Sequence, residues 1–491
     1  MSIPEALMTR PMATVCSMNI DTRVLEPIVI TDDFCRFVLP PIGILDTGSA
    51  ISFVLTSPGA GGFLPIKTGI HALIRRAVLR IGTKVVARSD DYPQYATIRR
   101  SFKTMEEKRM KDAIKSGTLD CVGPDQRQNG GLQLADVVYD NTDPEVAETG
   151  RTGTPLPQST LTNDAAHGPM YSIRISELFP MMRNVQLPLY LISSEAPASI
   201  ELTFNTQPTG VPSEGTLACF PAGTADTSVI LHKPSVKFLA DFLTYDDNRM
   251  DALAKQVMSS QGMLIPYEDL IVTNTAFEAG ADTAEPLRRT LTRELGLAGQ
   301  RIRSIVMHAH RAAPANRLLG KYSSDAYRVA DAFNTRVNDA PVFMRPMQSE
   351  TQKQHQLALV FGTNLSITNA EYSLDCATNK ALPTHPINYN PFLGMDVGDP
   401  NDAQADANFA STLGTGNFQT QLLGSQHYIG IDFNTTPLNQ PNNGVQVGQK
   451  PVTMTHEITT SSLDRAAREV RYYSTVERTM LLQGGQVTVS A

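Results

Sequence analysis

Residues 43–117 decide the fold of this chain, and their sequence is GILDTGSAISFVLTSPGAGGFLPIKTGIHALIRRAVLRIGTKVVARSDDYPQYATIRRSFKTMEEKRMKDAIKSG. Residues 51–55 are a β-branched and aromatic run before a Ser-Pro-Gly turn, which predicts a buried strand. Residues 77–88 alternate around Gly82-Thr83 and predict a hairpin with one wet face. Apolar residues recur at helical spacing over residues 92–115. The stretch therefore predicts a strand, a hairpin and an amphipathic helix.

The remainder of the chain is mostly a series of predicted strands separated by turn-rich segments. Residues 1–27 have weak periodicity and predict an arm, and residues 123–168 and 388–416 predict long polar loops. The Pro- and Gly-rich residues 207–226 predict a linker. We expect helices at 246–259 and 322–335. Further strands are predicted at residues 34–39, 171–175, 185–192, 200–204, 235–243, 263–273, 288–295, 301–310, 356–362 and 427–433.

The last predicted strand has the clearest alternation in the sequence. One face carries Val470, Tyr472, Val476, Met480 and Leu482, and the other face carries Glu469, Arg471, Thr475, Glu477 and Thr479. A one-residue slip would bury the charged side chains, so the alternation predicts a fixed register with a polar outer face. Gly484-Gly485 then predicts a turn into a short return strand.

Three segments at the start, middle and end of the chain are FLPIKTGIHALIRRAVLRIGTK at residues 63–84, LFPMMRNVQLPLYLI at 178–192 and VERTMLLQGGQVTV at 476–489. Together they resemble double jelly-roll major capsid proteins, especially those of polinton-like viruses, virophages and adintoviruses. The resemblance implies an all-β fold of two tandem eight-stranded antiparallel jelly rolls with inserted helices and long loops. We expect an arm at 1–27, a first jelly roll at 28–206, a linker at 207–226 and a second jelly roll at 227–491.

The resemblance also implies a structural function without catalysis or a cofactor. Such proteins form homotrimeric, pseudo-hexagonal capsomers, or hexons, that tile the icosahedral capsid of a double-stranded DNA virus. The implied partners are neighbouring capsomers and the penton and minor capsid proteins, and the implied location is the virion, after assembly inside the host cell. We expect the helices at 92–115 and 322–335 and the loops at 123–168 and 388–416 to make subunit and tower contacts.

Composition agrees with a large globular protein and disfavours several other classes. The chain has 491 residues, 41% hydrophobic and 19% charged, which suits two or three domains. The net charge is −7, and the first thirty residues carry only Arg10 and Arg23 as bases, so we expect no sequence-specific nucleic-acid binding. Without a membrane-length apolar run or a signal-peptide pattern, and with five scattered cysteines, we expect a soluble protein with isolated thiols. The sequence does not indicate whether an internal membrane lies beneath the shell.

One motif resembles a catalytic site. Asp46-Thr47-Gly48-Ser49 precedes a hydrophobic strand, as in the active-site tripeptide of aspartic proteases. Those enzymes need two carboxylates that share a proton, and the sequence has no second Asp-Thr-Gly or Asp-Ser-Gly. We therefore favour a polar turn at Asp46 and keep an aspartic-type hydrolase as the alternative.

Two other groups of residues are of the types that bind metals, but neither group is predicted to form a metal site. His308 and His310 share a strand face but have no apparent third ligand. The loop that contains Asp396, Asp399, Asp402 and Asp406 lacks the spacing of an EF-hand, so a solvated loop is favoured. A carbohydrate-binding jelly roll is a third functional hypothesis, although the chain has no Trp for a sugar platform.

Overall fold

The structure is a computed structural model, and it describes fourteen segments of the chain. They are residues 18–56, 63–64, 69–101, 154–155, 170–204, 230–277, 287–311, 332–348, 350–361, 389–390, 395–396, 428–434, 443–460 and 468–490. Outside these segments lie residues 102–115 of the predicted helix 92–115, residues 322–331 of the predicted helix 322–335, most of the predicted loops 123–168 and 388–416, and the whole predicted linker 207–226.

The first half of the chain contributes thirteen described strands. They are β1 (Asn19–Leu25), β2 (Val29–Ile30), β3 (Phe34–Val38), β4 (Ile44–Leu45), β5 (Ala50–Thr56), β6 (Phe63–Leu64), β7 (Ile74–Ile81), β8 (Lys84–Asp90), β9 (Thr154–Pro155), β10 (Met170–Arg174), β11 (Ala198–Phe204), β12 (Ile230–Leu231) and β13 (Lys237–Thr244).

The second half contributes twelve described strands, and the described residues of both halves together include four α-helices. The strands are β14 (Met263–Phe277), β15 (Leu287–Leu295), β16 (Arg301–Arg311), β17 (Ala332–Val337), β18 (Ala340–Pro341), β19 (Tyr389–Asn390), β20 (Met395–Asp396), β21 (Tyr428–Asp432), β22 (Val445–Gln446), β23 (Val452–Thr460), β24 (Arg468–Gln483) and β25 (Gln486–Ser490). The helices are α1 (Tyr92–Ser101), α2 (Ile175–Leu178), α3 (Asp247–Met258) and α4 (Glu350–Phe361).

Four antiparallel sheets have the same strand order in both halves. Sheet A is β1-β13-β5-β10 and sheet B is β3-β11-β7-β8, with β2 at its edge. Sheet C is β14-β24-β16-β21 and sheet D is β15-β23-β17-β18. Counted along each half, the eight main strands pair as 1-8-3-6 and 2-7-4-5. This double-sheet Greek-key order is a jelly roll, and the chain has a double jelly-roll fold.

The alternation of buried side chains explains why these strands close into sandwiches. In the first half, Phe37 of sheet B meets Phe238 of sheet A with ring centroids 5.8 Å apart. In the second half, Tyr472 of sheet C and Met454 of sheet D belong to one core. Cys35 is a buried free thiol in the first core, in agreement with the predicted isolated thiols.

The predicted domain boundaries need two corrections. Residues 19–25 are not part of an arm, because β1 pairs along its full length with β13. The second jelly roll does not begin at residue 227, because β12 and β13 hydrogen-bond to β5 of sheet A. The eighth strand of the first jelly roll thus follows the predicted linker, and the first sandwich ends at Thr244.

Three predicted elements have a different secondary structure. Residues 185–192 were predicted as a strand, but only a bridge from Leu187 to Leu45 forms there, next to a 3-10 turn at Leu189–Leu191. Residues 356–361 of the predicted strand 356–362 lie in α4. Residues 332–335 were predicted at the end of a helix and lie in β17. The predicted strand 51–55, the hairpin β7–β8 and the start of helix 92–115 are confirmed.

A bulge in the hairpin changes one detail of the predicted wet face. The register between β7 and β8 shifts between Leu79 and Arg80. Val85, expected on the buried side, is exposed, whereas Ala87 is buried as expected. The bulge adds one residue on the β8 strand, so the alternation restarts one position later.

The strands β14 and β24 pair over fifteen residues. Their side chains contribute to the hydrophobic cores of both halves. Val470 and Val476 belong to the core between sheets C and D. Met480 and Leu482, farther along the same strand, belong to the first core with Leu253 of α3. No helix within the described residues is long and apolar enough to cross a membrane.

Candidate functional site

The outer face of sheet C is covered by helices. Tyr95 and Ile98 of α1 pack against Leu270 of β14, Val306 of β16 and Tyr473 of β24. The rings of Tyr95 and Tyr473 have centroids 5.5 Å apart. We call this contact between the halves the seam. It is the candidate functional site, because it fixes how the two jelly rolls are joined.

Helix α4 extends the apolar part of the seam from the second half. Its Leu357 is fully buried in the same cluster as Tyr473. A Cβ atom on Gly430 of β21 would lie 2.7 Å from Leu357 Cδ1 and 3.0 Å from Leu357 Cα. Glycine at this position therefore lets the helix lie directly on the strand.

Buried ion pairs flank the apolar cluster. Arg471 is fully buried, with its Nη1 3.6 Å from Asp91 Oδ1 and its Nε 3.3 Å from Glu469 Oε1. Arg303 pairs with Glu268 and lies 3.8 Å from Glu477 Oε2. A buried charge is tolerated when it is paired and hydrogen-bonded. The prediction of a polar, solvated face on β24 is wrong, because the other half of the chain covers it.

A buried carboxylate lies where β14 leaves the second sandwich. Asp269 Oδ2 is 2.8 Å from Arg478 Nη1, and Asp269 Oδ1 accepts a 3.4 Å hydrogen bond from the Arg88 backbone N–H of the first half. Burial raises the pKa of Asp269 to about 6, although Arg478 acts in the opposite direction. Tyr267, two residues away, donates a hydrogen bond to the Val86 carbonyl.

A polar cavity of about 460 Å³ opens beside the apolar cluster. Its walls come from both halves of the chain: Arg99 and Arg183 lie on one side, and Glu268, Arg303 and Thr475 lie on the other. The cavity is therefore part of the seam.

Asp46 occupies a turn, as favoured from the sequence. Its Oδ2 accepts a 3.0 Å hydrogen bond from the Gly48 backbone N–H, and its Oδ1 accepts a 2.9 Å bond from Gln186 Nε2. Asp241 lies on the neighbouring strand, where its backbone N–H donates to Ser49 Oγ. Both oxygens of Asp46 thus hold the turn and the segment that contains Gln186.

Only some of the candidate metal ligands lie within the described residues. His308 is buried on β16 opposite Arg471, while the side chain of His310 is outside the described residues. Asp396 ends β20, and Asp399, Asp402 and Asp406 are outside the described residues. Within the part of the chain that the structure describes, no group of three or more His, Cys, Asp or Glu side chains is arranged to hold a metal ion.

The sequence analysis missed the seam for an identifiable reason. Helix 92–115 was expected at a subunit contact, but its described part contacts the second half of the same chain. Tyr473 was the available signal, because this large aromatic side chain interrupts the otherwise polar face of β24. An aromatic residue on a nominally wet face indicates a covered surface.

Comparison with solved structures supports the fold over nearly the whole chain. PBCV-1 VP54, as fitted into a cryo-EM reconstruction of the virophage Sputnik, is 10% identical with a TM-score of 0.57, and the match covers 98% of this chain and 99% of that chain. The Sputnik virophage structure determined by cryo-EM is 10% identical with a TM-score of 0.55, covering 99% and 91%. The PBCV-1 virus capsid is 11% identical with a TM-score of 0.53, covering 98% and 99%. Neither a protein-family model nor a curated protein sequence matches the chain.

Asp269 makes stability depend on pH. Its folded-state pKa of about 6 lies above the usual value, so its contribution to the free energy of unfolding is present at low pH and is lost as pH rises through about 6. The rise in pKa corresponds to a loss of roughly 3 kcal/mol in the free energy of unfolding between the unfolded and folded pKa values. We expect Asp269→Asn to remove this fall between about pH 3.5 and 6.5 in urea denaturation. Glu294→Gln, at an exposed position, is the control, and an unchanged slope in Asp269→Asn would contradict the assignment.

Asp46 is expected to contribute to stability through its turn. Asp46→Asn keeps only one acceptor oxygen and should lower the free energy of unfolding by about 1 kcal/mol, with Asp46→Ala lowering it further. Thermal denaturation of the two variants beside the wild type measures this order. A peptidase activity that Asp46→Asn abolishes at unchanged stability would instead favour the hydrolase hypothesis.

Proposed function

We propose that this chain is a major capsid protein that assembles as homotrimers, which tile the icosahedral shell of a double-stranded DNA virus. The observation that carries the proposal is the double jelly-roll architecture, which aligns end to end with structures of a virus capsid and a virophage. We assign the chain no catalytic role. Its partners are copies of itself, neighbouring capsomers, and penton and minor capsid proteins.

The two halves of the chain differ in one respect that supports association. In the second jelly roll, α1 of the first half covers the outer face of the 1-8-3-6 sheet. In the first jelly roll, the matching face of sheet A leaves Ile20, Val24, Leu239 and Met170 exposed. The strand registers place these four side chains on one face. Exposed apolar side chains that share one sheet face favour a partner, here with Thr22 and Asp241 between them.

A complementary surface lies on the second half. Helix α4 follows the fifth strand of its jelly roll, as α1 does in the first half. The exposed side chains of Val342 and Met344 line a groove of about 1010 Å³ next to α4, and Leu359 of α4 is also exposed. By analogy with α1, this surface would cover sheet A of the next copy.

Such a contact joins two different surfaces and therefore repeats head to tail. A heterologous contact gives a closed ring when its rotation closes. With two jelly rolls per chain, three copies place six sandwiches in a pseudo-hexagonal ring. Around this ring, a helix of one jelly roll covers the 1-8-3-6 sheet of the next, alternately within a chain and between chains. The ring is the repeating unit of the proposed shell.

The oligomeric state tests this arrangement. We expect light scattering coupled to size-exclusion chromatography to give three times the 53.5 kDa of the chain. Val24→Asp places a charge on the exposed face of sheet A and should weaken association by about a hundredfold, because an unpaired charge is costly to bury. The variant should remain folded by circular dichroism.

Val85→Asp is the matched control, since it changes an exposed strand valine on sheet B. It should retain the trimer. A wild-type protein that is monomeric at micromolar concentration, or a Val24→Asp variant that associates like the wild type, would contradict the proposal.

A further inference from the structure

The cavity in the seam is lined mainly by hydrogen-bond donors. Arg99, Arg183 and Arg303 line it together with the hydroxyl groups of Ser304 and Thr475. Glu268 is the acidic side chain in this lining, and it already pairs with Arg303. A wall of guanidinium and hydroxyl groups favours an anion.

Arg183 has donor capacity that its described neighbours do not use. Its Nη1 lies 3.4 Å from Tyr95 Oη and its Nε donates to the Ser176 carbonyl at 3.3 Å. The guanidinium also lies over the Tyr95 ring, 5.7 Å from the centroid. Its Nη2 is buried and has no hydrogen-bond partner within the described residues. These contacts fix the guanidinium in place and leave one buried donor, which is costly to leave without a partner.

The charges around Arg183 differ from those around the two buried arginines of the seam. Arg303 and Arg471 each lie within 4 Å of two carboxylates. Arg183 forms no such ion pair with any described residue; its partners are a carbonyl, a phenol and an aromatic ring. An anion in the cavity would give Arg183 the negatively charged partner that Arg303 and Arg471 find in the carboxylates of the protein.

We propose that this cavity binds a phosphate group through Arg183 and Arg99 of the first half, with Ser304 and Thr475 of the second half completing its lining. Phosphate suits the site because it accepts several hydrogen bonds and matches the planar fork of an arginine. A volume of about 460 Å³ accommodates inorganic phosphate and also the phosphate end of a nucleotide. The proposal stands apart from the capsid function, because it rests on this cavity alone.

A ligand that binds the folded chain and not the unfolded chain raises the free energy of unfolding with the logarithm of its concentration once that concentration exceeds its Kd. Isothermal calorimetry of the full-length protein with inorganic phosphate tests binding directly, and sodium chloride at equal ionic strength controls for screening. We expect saturable binding of phosphate and a rise in the thermal midpoint that chloride does not produce. A parallel titration with ATP separates the two sources: tighter binding of ATP assigns the site to a nucleotide, and weaker binding assigns it to free phosphate.

Two variants locate the binding. Arg183→Gln and Arg99→Gln should each raise the Kd for phosphate at least tenfold, whereas Arg293→Gln, the same change at an exposed position on β15, should leave it unchanged. Arg99→Gln keeps the test valid if loss of the Arg183 contacts destabilises the fold. The proposal is overturned if neither phosphate nor ATP binds saturably, or if the Arg99 and Arg183 variants bind as tightly as the wild type.

Discussion

The burial of the outer face of sheet C is the constraint on which the rest of the structure depends. Each sandwich buries the inner faces of its own sheets, but Arg471 and Tyr473 of β24 are also fully buried on the opposite face. A sheet with both faces covered needs a layer on each side. Helix α1 of the other jelly roll supplies this layer together with α4, so the first half helps to complete the second.

The long strands β14 and β24 strengthen this dependence. Their side chains contribute to the core of the second sandwich at one end and to that of the first sandwich at the other. The two jelly rolls consequently share residues as well as a surface, and Asp269 lies at the crossing point next to the Arg88 backbone. A separation of the halves would expose apolar side chains and leave Arg471 without the nearby carboxylate of Asp91. Loss of one partner from a buried ion pair typically costs about 3 to 5 kcal/mol.

The sequence predicted the elements whose pattern is local. The hairpin β7–β8, the strand 51–55 and the inner face of β24 follow from alternation and turn residues. The apolar run at 356–362 was misassigned because a short continuous run does not distinguish a buried helix from a strand. The pairing of β1 with β13 joins residues more than two hundred positions apart, and no local pattern encodes it. The seam was missed for the same reason, since Arg471 resembles a solvated residue until its partner Asp91 is placed beside it.

The contact between Tyr95 and Tyr473 tests most directly whether α1 completes the second jelly roll. Urea denaturation of the wild type, Tyr95→Ala, Tyr473→Ala and the double variant gives the coupling free energy between the two side chains. Their rings lie with centroids 5.5 Å apart, so we expect a coupling of about 1 kcal/mol. Additive effects of the two substitutions, with a coupling below about 0.3 kcal/mol, would contradict the account.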